Sequence, residues 1–175
     1  MRIKYIFACA FALIFTVSGG HVGAQSADNK EISAAGACTD LDFLAGNWVV
    51  RGADGTSDAT VRVKLGAGHC YGTEFWSFGK GLGGGRGICF LAYSNQKHNW
   101  AHICGVGAGD RYRFADGRLY GNEVRFAGED MADGMTQMFT LVRLSDKRVH
   151  EMVKESHDGG NTWKSLADEY WSREK

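Results

Sequence analysis

The sequence predicts an all-β domain, an antiparallel up-and-down barrel of about nine or ten strands. Three observations predict it. Short apolar runs alternate with polar residues at a period of two, as strands with one buried face do. Clusters of Gly, Asp and Asn punctuate those runs at hairpin spacing. No stretch carries a long helical period, and glycine, at 25 of 175 residues, is about twice its usual share. Closing such a meander on itself removes its exposed edges.

The chain opens with Arg2 and Lys4, then an uncharged apolar run at 5–17 that Ser18, Gly19 and Gly20 break. Val22-Gly23-Ala24 sets small residues where a signal peptidase reads, so 1–24 is expected to be a cleaved export signal. The run is 13 residues long, short of the roughly 20 that span a bilayer as a helix. Residues 25–37 are small and polar and read as a flexible lead-in. A single barrel domain is expected over 38–175, with the chain destined for the periplasm or the extracellular space.

The expected strands follow in order. The first covers 48–51. In the second, Val61, Val63 and Leu65 alternate with Thr60, Arg62 and Lys64. The rest are 70–78, 86–94, 100–106, 111–114, 123–126, 136–144, 148–155 and 162–171. Turn signals separate them at Asp54-Gly55, 79–85, 95–98, Asp116-Gly117, Asp133-Gly134 and Asp158-Gly159.

Composition excludes several function classes. Formal net charge is zero, with no basic stripe, which argues against nucleic acid. No basic amphipathic helix supports membrane-surface binding. The Gly-rich segment 79–87 lacks the Gly-Lys-Ser/Thr ending of a phosphate loop and reads as a flexible connection, one able to gate a barrel mouth. There is no G-x-S-x-G, H-E-x-x-H or Cys-His nucleophile signature, which weakens the case for a standard hydrolase. No cofactor is expected, and oligomeric state has no signal.

Downstream of the signal lie Cys38, Cys70, Cys89 and Cys104, an even count that points to disulfides in an exported protein. Four cysteines allow three pairings. A turn centred on Gln96-Lys97 places Cys89 opposite Cys104, Leu91 opposite His102 and Tyr93 opposite Trp100. Cys89, His102 and Cys104 then cluster as a metal site would, but an oxidising compartment favours the disulfide, so no metal is expected.

Three motifs stand in a recognisable order: Leu41-Asp42-Phe43-Leu44-Ala45-Gly46-Asn47-Trp48, Cys70-x-x-x-Glu74-x-Trp76, and Glu155-Ser156-His157-Asp158-Gly159-Gly160-Asn161-Thr162-Trp163. Over residues 38–173 the chain resembles a bacterial calycin/lipocalin-like domain family whose function is not established. The resemblance implies a lipocalin-related antiparallel barrel. It also implies a Cys38–Cys70 link tying the N-terminal segment to the barrel. Its W-x-Q-x-W strand is here Trp100-Ala101-His102-Ile103-Cys104, with His102 in the Gln position and Cys104 in that of the second Trp. Gly46-x-Trp48 is similar to the lipocalin opening, in which the Trp plugs the closed end. Ser156-x-Asp158-x-Gly160-x-Thr162-Trp163 also fits the Asp-box pattern of sialidase propellers, but it occurs once and reads as a hairpin clasp.

Glu74 is the most informative carboxylate because it shares strand parity with Trp76 and Phe78. Facing inward it needs a partner. Arg143 or Arg125 gives a structural ion pair, the preferred reading; His102 gives an acid/base pair. Alternation puts Trp100 and His102 on one face, joined by Tyr93 across the turn. If that face points inward, Glu74, Trp76, Tyr93, Trp100 and His102 line a ligand pocket; if outward, Trp100 and Tyr93 form an exposed patch for a partner protein. The expected function is binding of a small, partly apolar ligand in the barrel mouth. Two alternatives stand beside it: a proton-transfer enzyme (isomerase, lyase or hydrolase) using Glu74 and His102, and a structural module of the envelope.

Overall fold

A computed structural model describes residues 38–55, 58–107, 110–128 and 135–175. The expected signal (1–24), the lead-in (25–37) and the Asp133-Gly134 turn lie outside the described residues. The fold is a closed barrel of ten antiparallel strands in up-and-down order. The strands are β1 (Gly46–Gly52), β2 (Asp58–Leu65), β3 (Tyr71–Phe78), β4 (Gly85–Ser94), β5 (Asn99–Val106), β6 (Asp110–Tyr120), β7 (Glu123–Gly128), β8 (Thr136–Ser145), β9 (Arg148–Ser156) and β10 (Lys164–Arg173). Each strand pairs with its chain neighbours, and β1 pairs with β10 to close the ring.

Period-two alternation decides which side chains fill the interior. Ala59, Val61 and Val63 on β2 are buried while Thr60, Arg62 and Lys64 are exposed. The same parity buries Trp48 and Val50, Glu74 and Trp76, Cys89 and Leu91, and Trp100, His102 and Cys104. The β4–β5 hairpin has the expected register: Cys89 faces Cys104, Leu91 faces His102, Tyr93 faces Trp100. The face carrying Trp100 and His102 therefore points inward.

Because every neighbour is antiparallel, connections alternate between the two barrel ends. One end is plugged. A 3₁₀ turn at Asp42–Leu44 lays Leu41 and Leu44 into the core, both fully buried. The Trp48 indole donates to the Leu44 carbonyl at 2.7 Å. The Arg173 guanidinium lies 3.9 Å over the Trp48 ring and donates to the carbonyls of Phe43 and Ala45. A side chain at position 46 would collide with that guanidinium, so only Gly46 lets it through. The Cys38 and Cys70 sulfurs lie at disulfide distance here, just before β3, and those of Cys89 and Cys104 do so inside the barrel. Both pairs are compatible with an oxidising location outside the cytoplasm.

Two local expectations need correction. Asp116-Gly117 is not a turn but part of β6, which runs on to Tyr120. There the pairing to β5 slips between Trp100 and His102. Asn99 holds the Asp116 carboxylate at 2.6 Å, and the Phe126 ring occupies the space a side chain on Gly117 would need. The bulge therefore replaces a turn with a kink that admits an aromatic ring. At the other site, β10 begins at Lys164, not at residue 162. Thr162 is drawn into the turn, where its amide and hydroxyl both donate to Asp158.

Candidate functional site

Between the plug and the opposite end the interior is not filled. A cavity of about 490 Å³ lies there. It is bordered by the ends of β3, β5 and β9, by the starts of β6, β8 and β10, and by Gly84 of the Gly-rich connection. That volume lies within the range of small-molecule sites. Its walls are mostly aromatic and aliphatic, with His102, Gln137, Glu151 and Glu169 among the polar members.

Three indoles form a column from the plug to this cavity. Trp48 meets Trp171 edge-on at 6.0 Å, and Trp171 meets Trp76 edge-on at 5.3 Å. Each of the upper two donates its N–H to a buried carboxyl: Trp76 to Glu74 at 3.0 Å, Trp171 to Glu151 at 2.8 Å. A buried indole needs such an acceptor, and each pair satisfies one polar group of both partners.

Glu74 and His102 meet inside the barrel. Their strands are separated only by β4, whose Cys89 faces Glu74 on one side and Cys104 on the other. His102 Nε2 lies 3.2 Å from Glu74 Oε2, with both residues at most 4% exposed. In the tautomer with its proton on Nε2, the imidazole donates to the carboxylate. The imidazole stacks on Phe139 at 4.8 Å and 15°. The Cys104 sulfur lies 3.6 Å from Nε2. Glu74 Oε1 is buried with no hydrogen-bond partner.

The preferred arginine partners do not reach Glu74. Arg125 is held by Glu123 at 2.5 Å, and Arg143 by Asp146 at 2.6 Å. Both arginines have half-exposed side chains on the barrel exterior, where an ion pair avoids the desolvation that an interior one would incur. Histidine is the partner instead.

Of the five expected pocket residues, Trp76 and His102 line the cavity, and Glu74 sits against both of them. Tyr93 and Trp100 do not line it. They pack on each other at 5.3 Å beside the β4–β5 turn, at the plugged end, and Trp100 is 1% exposed. Trp100 is core.

Sequence reasoning passed over Glu151, Glu169 and Gln137. Glu151 and Glu169 face each other across β9 and β10. Burial pushes the Glu151 carboxyl well above its ordinary range, with Glu169 and Glu74 adding to the rise and the Trp171 N–H opposing it. Gln137 is buried on β8, and its Oε1 has no partner. The signal that singles out Glu74 exists for both: Glu151 shares the parity of Val149 and Val153, and Gln137 that of Phe139 and Leu141.

Among the described residues the side chains grouped as metal ligands are Cys89, His102 and Cys104, with donor atoms within 4.8 Å of one another. Two of those donors are joined in the disulfide, which leaves one nitrogen as a free ligand atom. The arrangement sets hydrogen-bonding side chains beside an apolar space. Comparison of the chain with protein-family models and with curated proteins finds no match to either.

Proposed function

We propose that this protein is an exported, calycin-like barrel that binds a small, partly apolar molecule in its interior cavity. One observation carries the reading: an aromatic-walled cavity of about 490 Å³ has a few polar groups converging on it, and one of them, Gln137, presents a buried acceptor that has no partner. A dry core closes around Val, Leu and Ile and leaves no such acceptors. The two cysteine pairs support the exported part of the reading. The experiment is a native mass spectrum of protein purified from its own host, followed by a thermal-shift screen of small molecules on the purified chain. Ligand-dependent stabilisation that disappears in Val153→Trp, which fills the cavity, is the expected result. A filled, unresponsive barrel would instead make this a structural module.

The contact between His102 and Glu74 supports a second reading, a proton-transfer enzyme acting on the bound molecule. Replacing both groups (Glu74→Gln with His102→Ala) would then abolish turnover of the captured molecule. If the double variant converts it at the original rate, the enzyme reading fails and the binding reading stands.

A further inference from the structure

We infer that the outer face of β3, β4 and β5 docks on an anionic lipid surface, its apolar side chains entering the headgroup region and its basic rim meeting the phosphates. Tyr71, Phe75, Ile88, Phe90 and Ile103 are each at least 37% exposed. Strand alternation turns all five outward from three neighbouring strands. The register joins them into one patch: Phe75 faces Ile88, and Phe90 faces Ile103. A single exposed apolar side chain needs no explanation, but a contiguous cluster of large ones marks a surface that meets something. The interior cavity plays no part in this inference.

The charges around the patch say what it meets. From β2 to β6 one rung of the sheet reads Arg62, Phe75, Ile88, Gly105, Arg111, with a cation at each end. The next rung begins Lys64, Thr73, Phe90, Ile103. Arg86, exposed on β4, stands two positions from Ile88 on the same outward parity. Arg62 and Lys64 lie over the Phe75 ring at 5.3 and 6.0 Å, so both border the apolar centre directly. Among the described residues the outward positions of β3, β4 and β5 hold no Asp or Glu, and none of these four cations is ion-paired to a carboxylate. An apolar centre inside a cationic rim complements an anionic membrane surface. The sequence carries no basic amphipathic helix; alternation along strands builds the amphipathic face instead. A second copy fits less well, because a two-fold contact through this patch would set basic rim against basic rim. A protein partner is held in part by hydrogen bonds, yet the only uncharged polar side chain on these two rungs is Thr73.

The test is flotation of the chain purified from its own host with unilamellar vesicles of phosphatidylcholine, either pure or mixed equally with phosphatidylglycerol. Binding to the anionic vesicles should be roughly tenfold tighter or more, and should be lost when salt is raised to about 0.5 M. In Arg62→Gln with Arg111→Gln it should fall roughly tenfold. Phe90→Ser with Ile103→Ser, which leaves every cation in place, should lower it by a similar factor. Both variants are checked for the native far-ultraviolet dichroism; should the apolar pair fail that check, Phe90→Ser alone serves, with a loss of roughly threefold. Equal binding to the two vesicle types, binding to neither, or wild-type binding by a folded double variant overturns the inference. Sedimentation equilibrium then says what replaces it. A dimer that Phe90→Ser with Ile103→Ser dissociates assigns the face to a second copy, and a monomer that ignores vesicles assigns it to a protein partner; either result overturns the lipid surface and leaves the cavity reading untouched.

Discussion

The two ends of this barrel are built from the same alternating strands but finish differently. At the plugged end the described polar atoms of the plug are partnered: the Trp48 indole on Leu44, the Arg173 guanidinium on two carbonyls and a ring face. At the other end carboxyls face each other, two acceptors are orphaned, and a cavity remains. Buried polar groups without partners cost stability, so a fold retains them where something else is gained. One end is thus arranged for stability, and the other retains buried acceptors at a cost to it.

That contrast can be broken most directly by truncation. Trp48→Ala should cost about 3–5 kcal/mol, the usual loss for a large buried aromatic. Leu166→Ala, at the cavity rim and 46% exposed, should stay within about 0.5 kcal/mol. Urea unfolding at a single pH measures both. Similar losses at the two positions would mean that the ends do not differ in their contribution to stability.

A subtler effect is expected at Glu151. Its carboxyl is held above the ordinary 4.5 in the barrel by burial, then by Glu169 and Glu74, and returns to the ordinary range on unfolding. The folded state therefore keeps a proton that the unfolded chain releases. Stability is full below about 4.5 and declines as pH rises through the folded value. Glu151→Gln keeps an acceptor for the Trp171 N–H and removes the ionisation. Its melting temperature should match that of the wild type at pH 4 and rise progressively above it towards pH 8. A constant offset across that range would show that Glu151 does not titrate as described.

The smallest effect sharpens the comparison from outside the barrel. Asp158 clasps the β9–β10 turn through the Ser156 hydroxyl and the Thr162 amide and hydroxyl, which together hold its carboxyl down to about 2. The clasp is therefore complete at neutral pH and is lost only as pH falls through about 2. Asp158→Ala should accelerate hydrogen exchange of the Thr162 amide at least tenfold while leaving the urea midpoint nearly unchanged. A midpoint shift as large as that of Trp48→Ala would make this turn part of the global fold and not a local unit.

Ten strands were legible because inward and outward residues alternate so regularly, and the β4–β5 register because one turn fixes every pair that follows it. The β6 bulge was not. Asp116-Gly117 is a good local turn signal, and only the distant Phe126 ring and Asn99 override it. Glu74 stood out as a charge on an apolar parity, yet its partner was misjudged because sequence does not show that Arg125 and Arg143 sit on the outer face beside their own carboxylates. Trp100 and Tyr93 were assigned to the pocket because parity reports which face a residue occupies and says nothing about depth along the barrel axis. Their place beside the β4–β5 turn, one end away from the 79–84 connection, carries that missing coordinate.

The pairing of β1 with β10 has a temporal consequence. Trp48 lies opposite Arg173, 125 positions along the chain, so the seam joins the first and last strands of the barrel. A ribosome delivers β10 after the other nine strands. Until then the sheet has two unpaired edges, a hazard for aggregation, and Trp171 and Glu169 have not yet joined the interior. Contacts of such long separation also form slowly. The cavity is therefore the last thing the chain makes, and a captured molecule would report that synthesis and closure were both complete.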